Sequence, residues 1–327
     1  MFKYISVFLI ILFLIPSCVP DEIPFVSNNL FYTTQIDLGS DYCYQKYYDI
    51  DNDLITGDNL ITDWDLAFSS KSNSIILNSS KYMRVVAFNP STILDLNDLI
   101  QNTEWNYDNP SGDVNLLALN NGSASLYIGS FLVDKGYDCD DNHLGYVILE
   151  ILDYDINRYV FRVIDIYSDG SWDYNESIEL QKTENDYIHF SLDTKSIVDL
   201  ITFEWDLCFS QYTEFNVSPP TGNNAAPLPT YQVVGVLQNN HVSVAVDSLN
   251  SFDNISIENI TNYLFELDRN TIGYNWKKYN LQMGLYSIES PVYIIKISDY
   301  DYYKLLFLDF YNDNGEKGAP MFKVSKL

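Results

Sequence analysis

Residues able to do chemistry are sparse in this 327-residue chain, with three histidines, four cysteines and four methionines beside 45 aspartates and glutamates. There is no zinc spacing, nucleophile elbow or phosphate-cradling glycine loop, and a carboxylate pair for glycoside cleavage cannot be picked from so many acids. No catalytic residue and no metal site is assigned, and a binding protein is expected rather than an enzyme. The run Asp49-Ile50-Asp51-Asn52-Asp53 sets carboxylates at alternate positions, as a calcium loop does. Leu54 stands where such a loop needs glycine and Leu60 where it needs a bidentate glutamate, so the run reads as a solvated acidic turn. His143 lies in a polar loop, His189 on a strand in register with Lys46, and His241 beside a turn at Asn239-Asn240. All three are expected at the surface.

The elements that would position a ligand are strands, read twice. Trp-Asp-Leu-x-Phe occurs at Trp64–Phe68 and again at Trp205–Phe209, 205 − 64 = 141 residues apart. Alternation puts Trp64, Leu66 and Phe68, like Trp205, Leu207 and Phe209, on one core-facing side of a strand. Upstream, Tyr44–Tyr48 corresponds to Tyr187–Ser191; downstream, Asp153-Tyr154-Asp155 corresponds to Asp299-Tyr300-Asp301, followed by strands Phe161–Tyr167 and Leu305–Tyr311. Four matches in one order indicate two homologous modules in tandem. They are expected over residues 31–173 and 185–327, with a polar connector at 174–184. Both read as all-β, built of antiparallel sheets with few short helices. In the first, strands are expected at 74–77, 82–88, 115–119, 125–131, 146–152 and 159–167, and helical spacing at 93–100. In the second, 231–237 and 242–246 read as a hairpin, 257–267 has weak helical spacing, and 279–288, 292–297 and 303–311 read as strands. A proline-rich loop at 219–229 follows the Trp205 strand.

Met1-Phe2-Lys3 leads into an apolar run, Ile5–Ile15, too short to span a bilayer and suited to a signal peptide. Its end, Leu14-Ile15-Pro16-Ser17-Cys18, resembles the lipobox of bacterial lipoproteins, which implies a signal peptide over 1–17, lipidation of Cys18 and a flexible tether over 18–30. Asp21-Glu22 beside the lipid resembles the surface-export signals of Bacteroidota lipoproteins, implying an outer-membrane lipoprotein facing the cell surface. A net charge of −27 without a Lys/Arg cluster argues against nucleic acid and against adsorption to anionic lipid. The lipid anchor is then the expected membrane contact, and the acidity favours a soluble monomer. Cys208 takes the place of Ala67 in the second Trp-Asp-Leu copy and reads as a structural thiol. Cys43 and Cys139 flank predicted strands, so a bridge between them is open to an exported protein, although spacing does not establish it.

The second module resembles the HmuY-type haem-binding lipoproteins of Bacteroidota. The likeness rests on Phe190–Lys195 before the Trp205 strand, on Tyr293–Lys296 with Tyr303–Tyr311, and most specifically on the tail Asn314–Phe322. It is clear over 187–327 and faint in the first module. It implies an all-β, hand-shaped protein that clamps haem between two loop regions, takes it from host haemoproteins and passes it to an outer-membrane receptor. The family's two ligand histidines fall between the Trp strand and the last strand pair. Here that interval, Ser210–Pro291, holds one histidine, His241, and one methionine, Met283, an allowed axial pair on iron. The resemblance thus implies haem as cofactor with His241 and Met283 as ligands, a tyrosine being the other option. The alternative reading keeps the β scaffold and gives it a glycan or protein ligand.

Overall fold

Short runs of β-branched and aromatic residues, punctuated by Gly, Asn and Asp, form twenty strands among the described residues. The structure, a computed structural model, describes residues 31–90, 96–120, 122–123, 125–167, 169–200, 204–218, 227–289 and 291–327. The signal peptide, Cys18, the tether and most of the proline-rich loop lie outside the described residues. The chain opens with β1 (Phe31–Gln35), β2 (Tyr44–Asp49) and β3 (Leu54–Leu60). Next come β4 (Leu66–Ser69), β5 (Ile75–Leu77), β6 (Arg84–Phe88), the helix α1 (Leu96–Asn102), β7 (Gly129–Asp134), β8 (Tyr146–Tyr154) and β9 (Arg158–Asp165). Three further strands follow, β10 (Ile178–Gln181), β11 (Tyr187–Ser191) and β12 (Ser196–Val198). The last set is β13 (Leu207–Val217), β14 (Leu228–Gln238), β15 (Ser243–Asp247), β16 (Lys277–Asn280), β17 (Leu285–Ile288), β18 (Val292–Lys296), β19 (Tyr302–Tyr311) and β20 (Lys317–Lys326).

The fold is all-β, and every named strand pairing is antiparallel. One sandwich faces the sheet β10-β9-β8-β7-β6 with the sheet β12-β11-β4-β5, and Leu66, Phe68, Phe131, Leu149, Phe161 and Phe190 share its core. The other faces β1-β20-β19-β18-β15 with β14-β13-β2-β3 around Tyr48, Phe209, Trp276, Tyr293, Phe307 and Phe322. The two sheet orders run in parallel, yet each sandwich draws strands from both expected segments. Strands β1–β3 complete the second, and β11 and β12, from beyond the connector, complete the first. The connector itself holds β10, which pairs with β9. The Trp-Asp-Leu strands β4 and β13 and their upstream partners β11 and β2 occupy matching places. The downstream matches are one strand out of step, because Asp153–Asp155 ends β8 whereas Asp299–Asp301 precedes β19.

Other expectations change for local reasons. Residues 115–119, expected as a strand, form 3-10 turns at Val114–Leu116 and Ala118–Asn120, where the Asp113 carboxylate accepts the Asn115 N–H at 2.9 Å. Residues 279–288 are a hairpin, β16–β17, turning through Gly284 at φ +67°. Strands β14 and β15 are no hairpin either, since they belong to different sheets and the turn at Asn239–His241 crosses between them.

Cys43 and Cys139 form a disulfide with Cα atoms 5.4 Å apart, tying the start of β2 to the β7–β8 loop across 96 residues. Cys208 is free and buried. Closing so long a loop restricts the unfolded chain, so a Cys43→Ser/Cys139→Ser variant is expected to lose about 2–4 kcal/mol, read from urea midpoints. A midpoint equal to wild type would show that the bridge adds nothing.

Candidate functional site

His241 owes its position to Asp206. The Asp206 N–H donates to the Tyr48 carbonyl at 2.9 Å, its carbonyl accepts the Asn239 N–H at 2.8 Å, and its Oδ2 accepts the Ile50 N–H at 2.8 Å. Its remaining oxygen, Oδ1, lies 2.9 Å from His241 Nε2. The same bonds recur at Asp65, whose N–H donates to the Phe190 carbonyl at 2.9 Å, whose carbonyl accepts the Asn78 N–H at 2.8 Å and whose Oδ2 accepts the Leu192 N–H at 2.6 Å. There Oδ1 takes the ammonium of Lys81. His241 therefore stands where Lys81 stands, as counter-charge to the aspartate that fastens one sheet of each sandwich. The Asp65–Lys81 pair is 1% exposed on both sides, whereas the His241 side chain is 50% exposed.

The hydrogen bond to Asp206 raises the His241 pKa, Asp186 and Glu204 add smaller contributions in the same direction, and burial opposes them. The stabilisation is thus full below about pH 6.5 and lost as pH rises through the higher folded value. His241→Gln is expected to cost less than about 1 kcal/mol at pH 6, solvent screening the pair, and less again at pH 9. A cost that grows with pH would contradict this pairing.

Met283 sits at the far tip of the β16–β17 hairpin and is 64% exposed, with Tyr279, Leu281 and Leu285 exposed beside it. Beneath them lies an aromatic floor. Tyr286 meets Tyr279 at 5.0 Å and Phe310 at 4.9 Å between ring centroids, and Trp276 stacks on Phe307 at 4.0 Å. The Tyr286 N–H donates to the Tyr311 hydroxyl at 2.7 Å, pinning the hairpin to the end of β19. Buried in this floor, Lys277 donates to the Val234 carbonyl, and loss of hydration brings its pKa down to about 7. Burial likewise pushes the phenols of Tyr42 and Tyr286 up.

His241 and Met283 are not brought together. His241 precedes Ser243, which pairs with Lys296, which pairs with Tyr302 at the start of β19. The Met283 hairpin is fastened at Tyr311, the other end of that ten-residue strand, about 30 Å along. One iron cannot bind both.

His143 is exposed, with Nε2 2.8 Å from Asp134 Oδ1, and Asp134 Oδ2 accepts the Arg84 Nε–H at 2.9 Å. His189 departs from its expected place at the surface. Its strand β11 lies between β4 and β12, its ring meets Trp64 at 4.9 Å, and burial pulls its pKa down to about 4. The acidic turn disperses its carboxylates: Asp49 accepts the Asp51 and Asn52 N–H groups, Asp51 the Tyr303 hydroxyl, and Asp53 the Tyr48 hydroxyl. Among the described residues no group of three or more His, Cys, Asp or Glu converges as a metal site, and no helix is long and apolar enough to cross a membrane. Sequence reasoning missed Lys277 because nothing in its neighbourhood marks it as buried. The Lys81 pairing was legible in principle, since Asn78 and Lys81 precede β6 much as Asn239 and His241 precede β15.

A family model described as HmuY protein matches residues 41–324. No curated protein matches the chain. Among solved structures the chain is similar to the apo HmuY analogue of Tannerella forsythia, at 10% identity and TM-score 0.35 over 91% of this chain and 96% of that one. It is also similar to apo PinO from Porphyromonas gingivitis, at 8% identity and TM-score 0.32 over 91% and 98%.

Proposed function

The chain belongs to the HmuY protein family, and on that premise we propose that it is a surface lipoprotein that binds haem. The observation that carries the proposal is the family match over residues 41–324. In this reading Cys18 holds the lipid and the β16–β17 hairpin offers the porphyrin an apolar wall of Tyr279, Leu281 and Leu285. Met283 is its thioether ligand. His241 is committed to Asp206 and is left out of the ligand set. The protein takes haem from a haemoprotein and yields it to a membrane receptor, binding rather than transforming it. On the same reading the two sandwiches descend from one duplicated unit, and only the second gained the haem hairpin, where the first carries α1 between β6 and β7.

The test is a haem titration of the protein lacking residues 1–18, followed in the Soret region. A saturable shift is expected, weakened about tenfold or more in Met283→Ala and kept in His241→Ala. No shift with oxidised or reduced haem would remove the proposal. A shift kept in Met283→Ala and lost in His241→Ala would retain haem and move its ligand.

A further inference from the structure

On the opposite face of the second sandwich's five-stranded sheet, a small apolar cluster of Ala245, Phe252, Ile255, Val292 and Ile294 supports the segment that links β15 to β16. Above it opens a cleft of about 480 Å³, within the usual range for small-molecule sites. Its polar lining is Asp247, Ser248, Asn250, Asn254, Asn259, Asn262 and Tyr263, and Val246 and Leu249 add exposed aliphatic surface.

The cleft is built rather than incidental. Asp247, itself buried, accepts the Leu249 and Asn250 N–H groups at 2.8 Å, the Asn250 side-chain amide at 2.8 Å and the Tyr263 hydroxyl at 2.7 Å, fixing both walls to the end of β15. Asn254 ends one 3-10 turn, Phe252–Asn254, and Asn259 and Asn262 lie three residues apart in another, Ile257–Asn262. Side chains at that spacing eclipse in a 3-10 helix, so these two amides project from the same side. The amides of Asn254, Asn259 and Asn262 have no bonded partner among the described residues.

The lining selects a ligand class. No Lys or Arg lines the cleft, which disfavours phosphates and carboxylates. The one carboxylate has its oxygens engaged by four internal donors, which disfavours a cation. What is left is a set of free carboxamides, each carrying a donor and an acceptor, beside aliphatic surface. A sugar hydroxyl is likewise both donor and acceptor, and a pyranose ring presents a C–H face. We propose that this cleft binds a neutral saccharide, a second binding activity that does not rest on haem.

Saturation-transfer NMR on the same protein, with the methyl glycosides of glucose, galactose, mannose and N-acetylglucosamine as probes, tests the proposal. At least one should show saturable transfer that inorganic phosphate and calcium chloride leave intact. Asn259→Ala/Asn262→Ala should weaken it about tenfold and Asn254→Ala should weaken it further, with the haem titration and circular dichroism unchanged. The proposal is overturned if none of the four glycosides gives saturable transfer, if the variants keep it, or if phosphate or calcium displaces it.

Discussion

Lys81→Met is expected to lose about 3–5 kcal/mol of stability, against less than about 1 kcal/mol for His241→Gln, although the two residues hold matching aspartates. Removing the Lys81 ammonium leaves the Asp65 carboxylate without its counter-charge, 1% exposed and, among the described residues, bonded to the Leu192 N–H alone. The Lys81 backbone is fixed as well: its carbonyl accepts the Tyr137 N–H at 2.9 Å, and a Cβ at Gly136, where φ is +75°, would approach that carbonyl to 1.8 Å. At Asp206 water reaches the half-exposed imidazole and can solvate the acid when it is removed. Urea unfolding of both variants at pH 7 measures the contrast. Equal losses would show that burial does not separate the two pairs. Asp65→Leu/Lys81→Met should recover part of the loss, because a packed apolar pair needs no desolvation of charge although the Leu192 N–H loses its acceptor.

Strand content was legible because alternation and turn residues are local properties. Lys81 left only its spacing from Asn78 before β6 as a local signal, because its partner Asp65 lies 16 residues away and the bond depends on the turn from β5 to β6 crossing between sheets. The exchange of β1–β3 and of β11–β12 was equally hidden. A strand's own sequence gives its buried face but not the edge it joins, and Tyr44–Tyr48 reads the same whether its neighbour is β4 or β13. For the site, the Ser210–Pro291 interval offered Met283 and His241 as candidates. Their separation along β19 emerged only from strand register. The carboxamide cleft was missed for a related reason, since asparagines in a polar loop read as solvated residues until the 3-10 turns bring Asn254, Asn259 and Asn262 to one cleft.

Lys277→Met is expected to remove a rise in stability with pH that wild type shows between about pH 7 and 10.5. The Lys277 ammonium lies 4.4 Å from the Trp276 ring centroid, 4.8 Å from that of Phe310 and 5.8 Å from that of Tyr286, and among the described residues no carboxylate comes within ion-pair distance. The rings and the Val234 carbonyl compensate only part of the lost hydration, so burial brings the pKa down to about 7. The sign follows from proton counts. Between the folded value and the unfolded value near 10.5 the unfolded chain holds the extra proton, so stability climbs with pH in that window and is lowest below it. The climb should amount to roughly 3–4 kcal/mol, somewhat less than the full shift gives at 1.36 kcal/mol per unit, because aromatic faces stabilise the cation in part. Methionine carries no such proton. It also leaves the Val234 carbonyl without its donor, a loss of about 1–3 kcal/mol that does not depend on pH. Taking the stability difference between wild type and variant at each pH cancels the titration of groups common to both, and that difference should move toward wild type by the stated amount from pH 6 to pH 10.5. Parallel profiles would mean that Lys277 keeps its charge in the fold. In that case the floor under the Met283 hairpin would be fully cationic at neutral pH, whereas a pKa of about 7 leaves the amine only partly protonated there.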